Sequence, residues 1–284
     1  MELVSYVLPV HASLAVVTRH RSPVAGRRSR PGRDSPLATR HCYSSPMTLD
    51  LLAIAAHPDD VELTCGGTLL KMAQAGYATG ILDLTRGEMG TRGDVETRRR
   101  EAAAAARILR VRLRENLGLP DARLTADEDS KLAVARVIRA LRPHCVILPY
   151  WEARHPDHYT ASQIGYEGCF LAGLKRLALK GEPFRPFKIL YTTAYAHVRP
   201  TFVVDITRQF DRRARAIACY GSQFRPKRAD RKSKVHIPLD RLSGQMELLA
   251  RHYGEMIGVR YGEPFLVKEL MQVEDVLRLP VRSI

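Results

Sequence analysis

Short apolar runs separated by longer segments of mixed character set the pattern of this chain. Leu51 to Ala56 (LLAIAA) and Cys145 to Leu148 (CVIL) are uninterrupted apolar runs, as expected of strands buried on both faces of a parallel sheet. Pro149 ends the second. Further strands are predicted over Thr79 to Leu84, Arg112 to Leu117, Ile189 to Tyr195 and Phe202 to Val204, and helices near 64–75, 95–109, 129–141, 159–178 and 207–219. This alternation predicts an α/β fold, a Rossmann-like three-layer arrangement around a mostly parallel sheet. Gly221 to Leu242 is charged with little periodicity and reads as a mobile loop over the carboxyl ends of the strands. The chain shows no internal repeat.

At 284 residues and 45% hydrophobic content the chain can bury a full core as one large domain. Residues 1–46 differ from the rest. They contain Arg27-Arg28-Ser29-Arg30-Pro31-Gly32-Arg33, no lysine and several Ser and Pro, while Met47 stands just before the first core strand. They read as a disordered extension or as sequence upstream of the true start at Met47, with a targeting segment as the alternative. Residues 47–284 are then a single catalytic domain. The apolar run Leu14 to Val17 is too short to span a membrane, and no membrane association is expected.

A formal charge of +15 invites a nucleic-acid reading. However, the first 46 residues hold seven arginines against two acids, so +5 of the total lies there and +10 remains. Much of the remainder falls in Arg208 to Lys234, where no aromatic interleaving or nucleic-acid motif accompanies it. That run reads as a solvated face, and no nucleic-acid partner is expected. The five cysteines, Cys42, Cys65, Cys145, Cys169 and Cys219, are odd in number and lack C-x-x-C spacing. They read as reduced thiols of a cytoplasmic protein.

Two polar clusters carry the candidate chemistry. His57-Pro58-Asp59-Asp60-Val61-Glu62 follows the first strand, and Arg154-His155-Pro156-Asp157-His158 follows the run ended by Pro149. Ligands bind at such carboxyl strand ends in open α/β sheets. Neutral imidazole and carboxylate suit a borderline divalent ion such as zinc, and a catalytic site keeps three protein ligands. His57, Asp60 and His158 supply that set. Asp59 is then left as general base. Taken singly, HPDD also reads as a helix-capping turn and the two histidines as solvated loop residues; the pair at equivalent strand ends points to one site. A dinucleotide role is disfavoured, because HPDD stands where a G-x-G-x-x-G turn would be needed and Gly66-Gly67 lacks that spacing. Glu62 reads as orienting the first loop. Cys65, beyond it, is close enough in sequence to approach the metal, with packing beneath the glycines as the bland reading.

The motif A-H-P-D-D-x-E at Ala56 to Glu62 and H-P-D-H at His155 to His158 resemble those of the zinc-dependent N-acetylglucosaminyl deacetylases of the LmbE/PIG-L family. Leu84 to Gly93 (LTRGEMGTRG) and Arg114 to Asp121 (RENLGLPD) look like the branch that makes bacillithiol, and the resemblance runs from about Leu49 to Phe265. It implies Zn2+ on His57, Asp60 and His158, Asp59 as base, and His155, held by Asp157, as a cation facing the oxyanion. It also implies hydrolysis of the acetyl group of N-acetylglucosaminyl malate to glucosaminyl malate and acetate. The alternative is another N-acetylglucosamine conjugate, such as the mycothiol precursor or a thiol S-conjugate. Arg98 matches a family position that contacts substrate, against a plain reading as part of a solvated basic face. Arg92 is the weaker candidate for the malate carboxylates and reads more simply as a mobile loop residue. The resemblance further implies a homo-oligomer acting on a small glycoconjugate.

Overall fold

The computed structural model describes residues 48–225 and 239–281. The N-terminal extension, Met47, Cys42 and the stretch 226–238 of the expected loop lie outside them. Five strands, β1 (Leu51–Ala55), β2 (Thr79–Thr85), β3 (Leu113–Leu119), β4 (Cys145–Pro149) and β5 (Lys188–Thr192), form a parallel sheet in the order β3-β2-β1-β4-β5. Ala53 of β1 pairs with Ile81 on one side and Ile147 on the other. The expected Rossmann-like fold is the one the chain adopts.

Alternation along the strands divides the core. Leu52, Ile54, Leu82, Leu84, Val146 and Leu148 pack on α4 (Glu128–Leu141) and α5 (Pro156–Ala172). Leu51, Ala53, Ala55, Ile81 and Ile147 face the opposite layer of α2 (Gly66–Gln74), α3 (Val95–Leu109) and α6 (Phe210–Ala218). The chain leaves β1 toward β2 on one side, through α1 (Asp60–Thr64) and α2, and leaves β4 toward β5 on the other. The strand order therefore reverses between β1 and β4, and their following loops flank one crevice.

Element boundaries differ from expectation where capping decides them. The helix expected over 64–75 is two, α1 and α2, broken at Cys65. α5 begins at Pro156 rather than Tyr159, because His155 is its N-cap and Pro156 its first residue. β6 (Phe202–Asp205) leaves the main sheet and pairs antiparallel with β7 (Gly262–Phe265), joined to β5 by the Tyr191–Leu266 bridge. After the short α7 (Gly221–Phe224), the end of the expected loop is instead the start of α8 (Leu239–Glu255). Its buried Leu242, Met246, Ala250 and Tyr253 recur at helical spacing beneath a charged outer face.

Residues from the last third of the chain fix the first loop. Glu263 of β7, 1% exposed, accepts hydrogen bonds from Gly67 N at 2.8 Å, Thr68 N at 2.7 Å and Thr68 Oγ1 at 2.6 Å. It caps α2, whose own N-cap Cys65 makes no side-chain cap bond. A Cβ at Gly67 would lie 2.8 Å from Glu263 Oε1 and 2.9 Å from Ile206, so only glycine admits this cap. Arg213 pairs with Glu263 at 3.1 Å and donates to Glu62 O at 3.0 Å and Leu63 O at 2.5 Å, closing the end of α1. Glu263→Ala strands a buried guanidinium and two amides, and is expected to cost about 3–5 kcal/mol. Urea unfolding should show a lowered midpoint at unchanged slope, with a smaller loss for Glu263→Gln, which keeps one acceptor.

Candidate active site

The crevice brings the two sequence clusters together. The ligand atoms of His57, Asp60 and His158 lie within 4.8 Å of one another, as do those of an overlapping set, His57, His155 and Asp157. His57 Nδ1 is 3.3 Å from Asp60 Oδ2, and His158 Nε2 is 3.2 Å from Asp60 Oδ1. Asp60 Oδ2 also receives the His57 backbone amide at 3.0 Å, which fixes the carboxylate between the two rings.

The far side of His57 is equally constrained. Its Nε2 lies 3.0 Å from Asp121 Oδ1 and 3.3 Å from Asp157 Oδ2. Asp121 is anchored by the amides of Met89 and Ala122, both at 2.8 Å, and Asp157 by that of Ala122 at 2.7 Å. Burial opposes a charged imidazole, yet the hydrogen bonds with Asp121, Asp157 and Asp60 raise the His57 pKa to about 12. Burial works against ionised Asp121 too, but the bond to His57 and the Met89 amide hold it at about 2. A proton thus stands where the surrounding carboxylates call for a cation. Two imidazoles, one carboxylate and carboxylates behind a ligating histidine fit a divalent ion such as zinc.

Asp59 stands beside this set without belonging to it. It takes φ 118° at the N-cap of α1, a left-handed conformation that is strained for a non-glycine residue. Burial raises its pKa to about 7 against the pull of Arg98, with Asp60 adding to the rise. That value suits a general base near neutral pH. Glu62, fully buried, meets Arg114 Nη1 at 2.5 Å and receives the Tyr220 hydroxyl at 3.1 Å, so it orients the loop from below. Cys65 is buried in the core next to α1, where burial pushes its thiol pKa up, and it is in neither ligand group.

Three placements change the expected picture. Asp157 does not hold His155 through its carboxylate, which is spent on His57 and the Ala122 amide. His155 Nδ1 instead accepts the Asp157 backbone amide at 3.2 Å. An accepting Nδ1 carries no proton, and burial, with His158 and His57 nearby, lowers the pKa of the ring. The expected pairing of His155 with the Asp157 carboxylate is therefore not the contact that forms, and Nε2 of the ring is the nitrogen left toward the cleft as a donor when Nδ1 accepts. Arg98, 4% exposed, lies behind the first loop, donating to Pro58 O at 2.5 Å and standing 3.5 Å from Asp59 Oδ2. Gly87, at φ +68°, lets the loop press on that guanidinium; a Cβ there would lie 2.7 Å from Cζ. Arg98 is thus turned to the loop rather than the cleft. Arg92 is half-buried, its carbonyl accepting from Gln223 Nε2 at 2.7 Å, and does not line the cleft either.

The cleft itself measures about 700 Å³. Asp59, Asp60, His155 and His158 lie along it, with Arg154, Tyr195 and His197 as further polar walls and Phe224, Leu242, Met246 and Leu249 as an apolar flank. Tyr195 stacks on His158 at 5.5 Å between ring centroids. Sequence reasoning missed Asp121 and Tyr195. Asp121 had a signal, since it ends the RENLGLPD segment at the carboxyl end of β3; Tyr195 had none. Asp121→Asn should weaken metal binding about 10–100-fold by loosening His57, read by competition with a chromogenic chelator. Unchanged affinity would remove Asp121 from the support of the site.

The family model described as GlcNAc-PI de-N-acetylase, PIG-L, matches residues 52–169. Diacetylchitobiose deacetylase of Thermococcus kodakarensis is 30% identical over 225 residues, covering 75% of this chain and 80% of that protein. The 1D-myo-inositol 2-acetamido-2-deoxy-alpha-D-glucopyranoside deacetylase of Rhodococcus opacus is 31% identical over 180 residues, 51% of this chain and 62% of that enzyme. Among solved structures, a conserved protein of Thermus thermophilus superposes with a TM-score of 0.72 at 39% identity, over 80% of this chain and 98% of that one. With its paired metal-ligating motifs at the switch point of the sheet, the chain belongs to the PIG-L family of deacetylases.

Proposed function

We propose that this protein hydrolyses the acetamide of an N-acetylglucosamine conjugate, with N-acetylglucosaminyl malate as its substrate. The observation that carries the reading is the convergence of His57, Asp60 and His158 on one point with Asp59 beside them and outside the ligand set. A bound zinc ion would supply Lewis-acid polarisation of the acetyl carbonyl and a more acidic water. Asp59 takes the proton of the attacking water and later gives it to the departing amine. Arg98 and the strained turn aim that carboxylate. His155 Nε2–H donates to the carbonyl oxygen as charge develops there. Asp121 and Asp157 keep His57 oriented throughout.

The malate assignment is supported by the two bacillithiol-like segments and by Arg154, which lines the cleft where a carboxylate-bearing aglycone would enter. A second reading takes an inositol or chitobiose conjugate. It is favoured by the relatives named above and by Arg114, Asn116 and Asp121, which are spent on internal bonds to Asp83, Thr85 and His57. It also suits the apolar flank of α8.

Two measurements test this. Acetate release by the zinc-loaded protein is expected to be at least about tenfold faster from N-acetylglucosaminyl malate than from diacetylchitobiose or the inositol conjugate, the scale of one good discriminating contact. Equal or reversed rates would move the substrate to the second reading. Asp59→Asn should keep full zinc content while turnover falls about 10²–10⁴-fold. A mutant with wild-type rate would take the base role away from Asp59.

A further inference from the structure

Where the first loop, α3 and the strands β2 and β3 meet, the chain leaves a cavity of about 350 Å³ that shares no lining residue with the cleft. Its volume is in the range of small-molecule sites. Pro58 of the HPDD turn and Val95, Ala102 and Ala103 of α3 supply apolar lining.

The polar groups around it are committed, with one exception. Arg114 holds both oxygens of Asp83, at 2.8 and 2.9 Å, and also meets Glu62. Asn116 donates to Thr85 O and accepts the Gly118 amide at 2.8 Å. Arg99 is tied to Glu96, one turn back, at 2.7 Å, and Glu115 is engaged as well. Arg86 lines the cavity and has no hydrogen-bond or ion-pair partner among the described residues. Its guanidinium is nevertheless held in place. It lies against Gly118, at φ +66°, where a Cβ would come within 2.8 Å of Nη2. A guanidinium packed in position with its donors unspent is set to pair with an anion from outside. The apolar lining calls for an apolar body on that anion, and Glu115 in the same wall disfavours a second negative charge.

We propose that this cavity is a second ligand site, which takes a small organic monoanion with its carboxylate or sulfonate on Arg86 and its apolar body against Pro58, Ala102 and Ala103. Occupation bears on the active site through Pro58. The Pro58 carbonyl and the Asp59 carboxylate both face Arg98, which belongs to α3 as Val95 and Ala102 do. A ligand lodged against Pro58 and α3 braces the two pieces that Arg98 joins, and favours the arrangement in which both contacts are made. That consequence for turnover, though not the site, rests on the deacetylase reading above.

Calorimetric titration of the zinc-loaded full chain with benzenesulfonate tests the site, because a sulfonate is a weak ligand for zinc. Benzyl alcohol presents the body without the charge, and inorganic phosphate the charge without the body. Benzenesulfonate is expected to bind at least about tenfold tighter than either, the scale of one charge-assisted hydrogen bond. Arg86→Gln should remove its advantage over benzyl alcohol, and Ala103→Trp, which fills the cavity, should abolish the binding of both. Each variant should keep the zinc content and the acetate release of the unliganded protein. Saturating benzenesulfonate should raise acetate release about fivefold in the native chain, the low end of coupling between sites, and in neither variant. Absent binding, equal binding of the three probes, or affinities that neither substitution moves would overturn the site. Binding that leaves acetate release unmoved would overturn its coupling to the first loop. Binding by a protein that releases acetate from no N-acetylglucosamine conjugate would uphold the site and sink the proposed function.

Discussion

Negative charge gathered around one imidazole is the constraint on which the site depends. Asp60, Asp121 and Asp157 all approach His57, each with little exposed surface. Burying carboxylates is expensive unless hydrogen bonds and opposite charge compensate them. Here the compensation is structural. Amides of Met89, Ala122 and Leu124 point at Asp121 and Asp157, which ties the loops after β2 and β3 to the start of α5. The remaining imbalance is met by a proton on His57 or by a divalent ion. The same arrangement that makes the metal-free site costly gives the ion its attraction, so loop geometry and metal affinity are two readings of one charge distribution.

A second layer of charge lies under the first and has a different task. Glu62, Asp83 and Glu263 face Arg114 and Arg213, all nearly inaccessible to water. Buried pairs of this kind add little net stability relative to apolar packing, because desolvation offsets attraction. Their value lies in direction. Arg114 joins Asp83 of β2 to Glu62 of α1, and Arg213 joins α1 to β7. Both pairs meet α1, whose N-cap Asp59 stands at φ 118°, a conformation costing of order 1–3 kcal/mol. The strained Asp59 thus stands at the start of the short helix on which this network converges.

The parts of the molecule legible in the sequence are those whose signal is local. LLAIAA and CVIL each announce a buried strand, and HPDD and HPDH follow them directly, so the ligand set and its place in the fold could be read together. The same locality explains what was not legible. Glu263 caps α2 from 196 residues away, a relation that no window of sequence contains. The apolar stripe of α8 is diluted by charged neighbours and follows a stretch without periodicity. His155 and Asp157 are two residues apart in the motif, which suggests a pair, but the carboxylate is claimed by His57 from the other side of the crevice. Arg98 lies in a run of three arginines, and only the packing of α3 behind the first loop distinguishes the buried one from its exposed neighbours Arg99 and Arg100.

Chemistry and selectivity are consequently carried by different pieces of chain. His57, Asp60 and His158, which could hold a metal, together with Asp59 and the carboxylates of Asp121 and Asp157, come from the segments at the ends of β1, β3 and β4, close to the sheet. A further wall of the cleft comes from α8 and the segment after β5. The residues fit to hold a metal and those that shape the rest of the cleft therefore belong to separate parts of the fold.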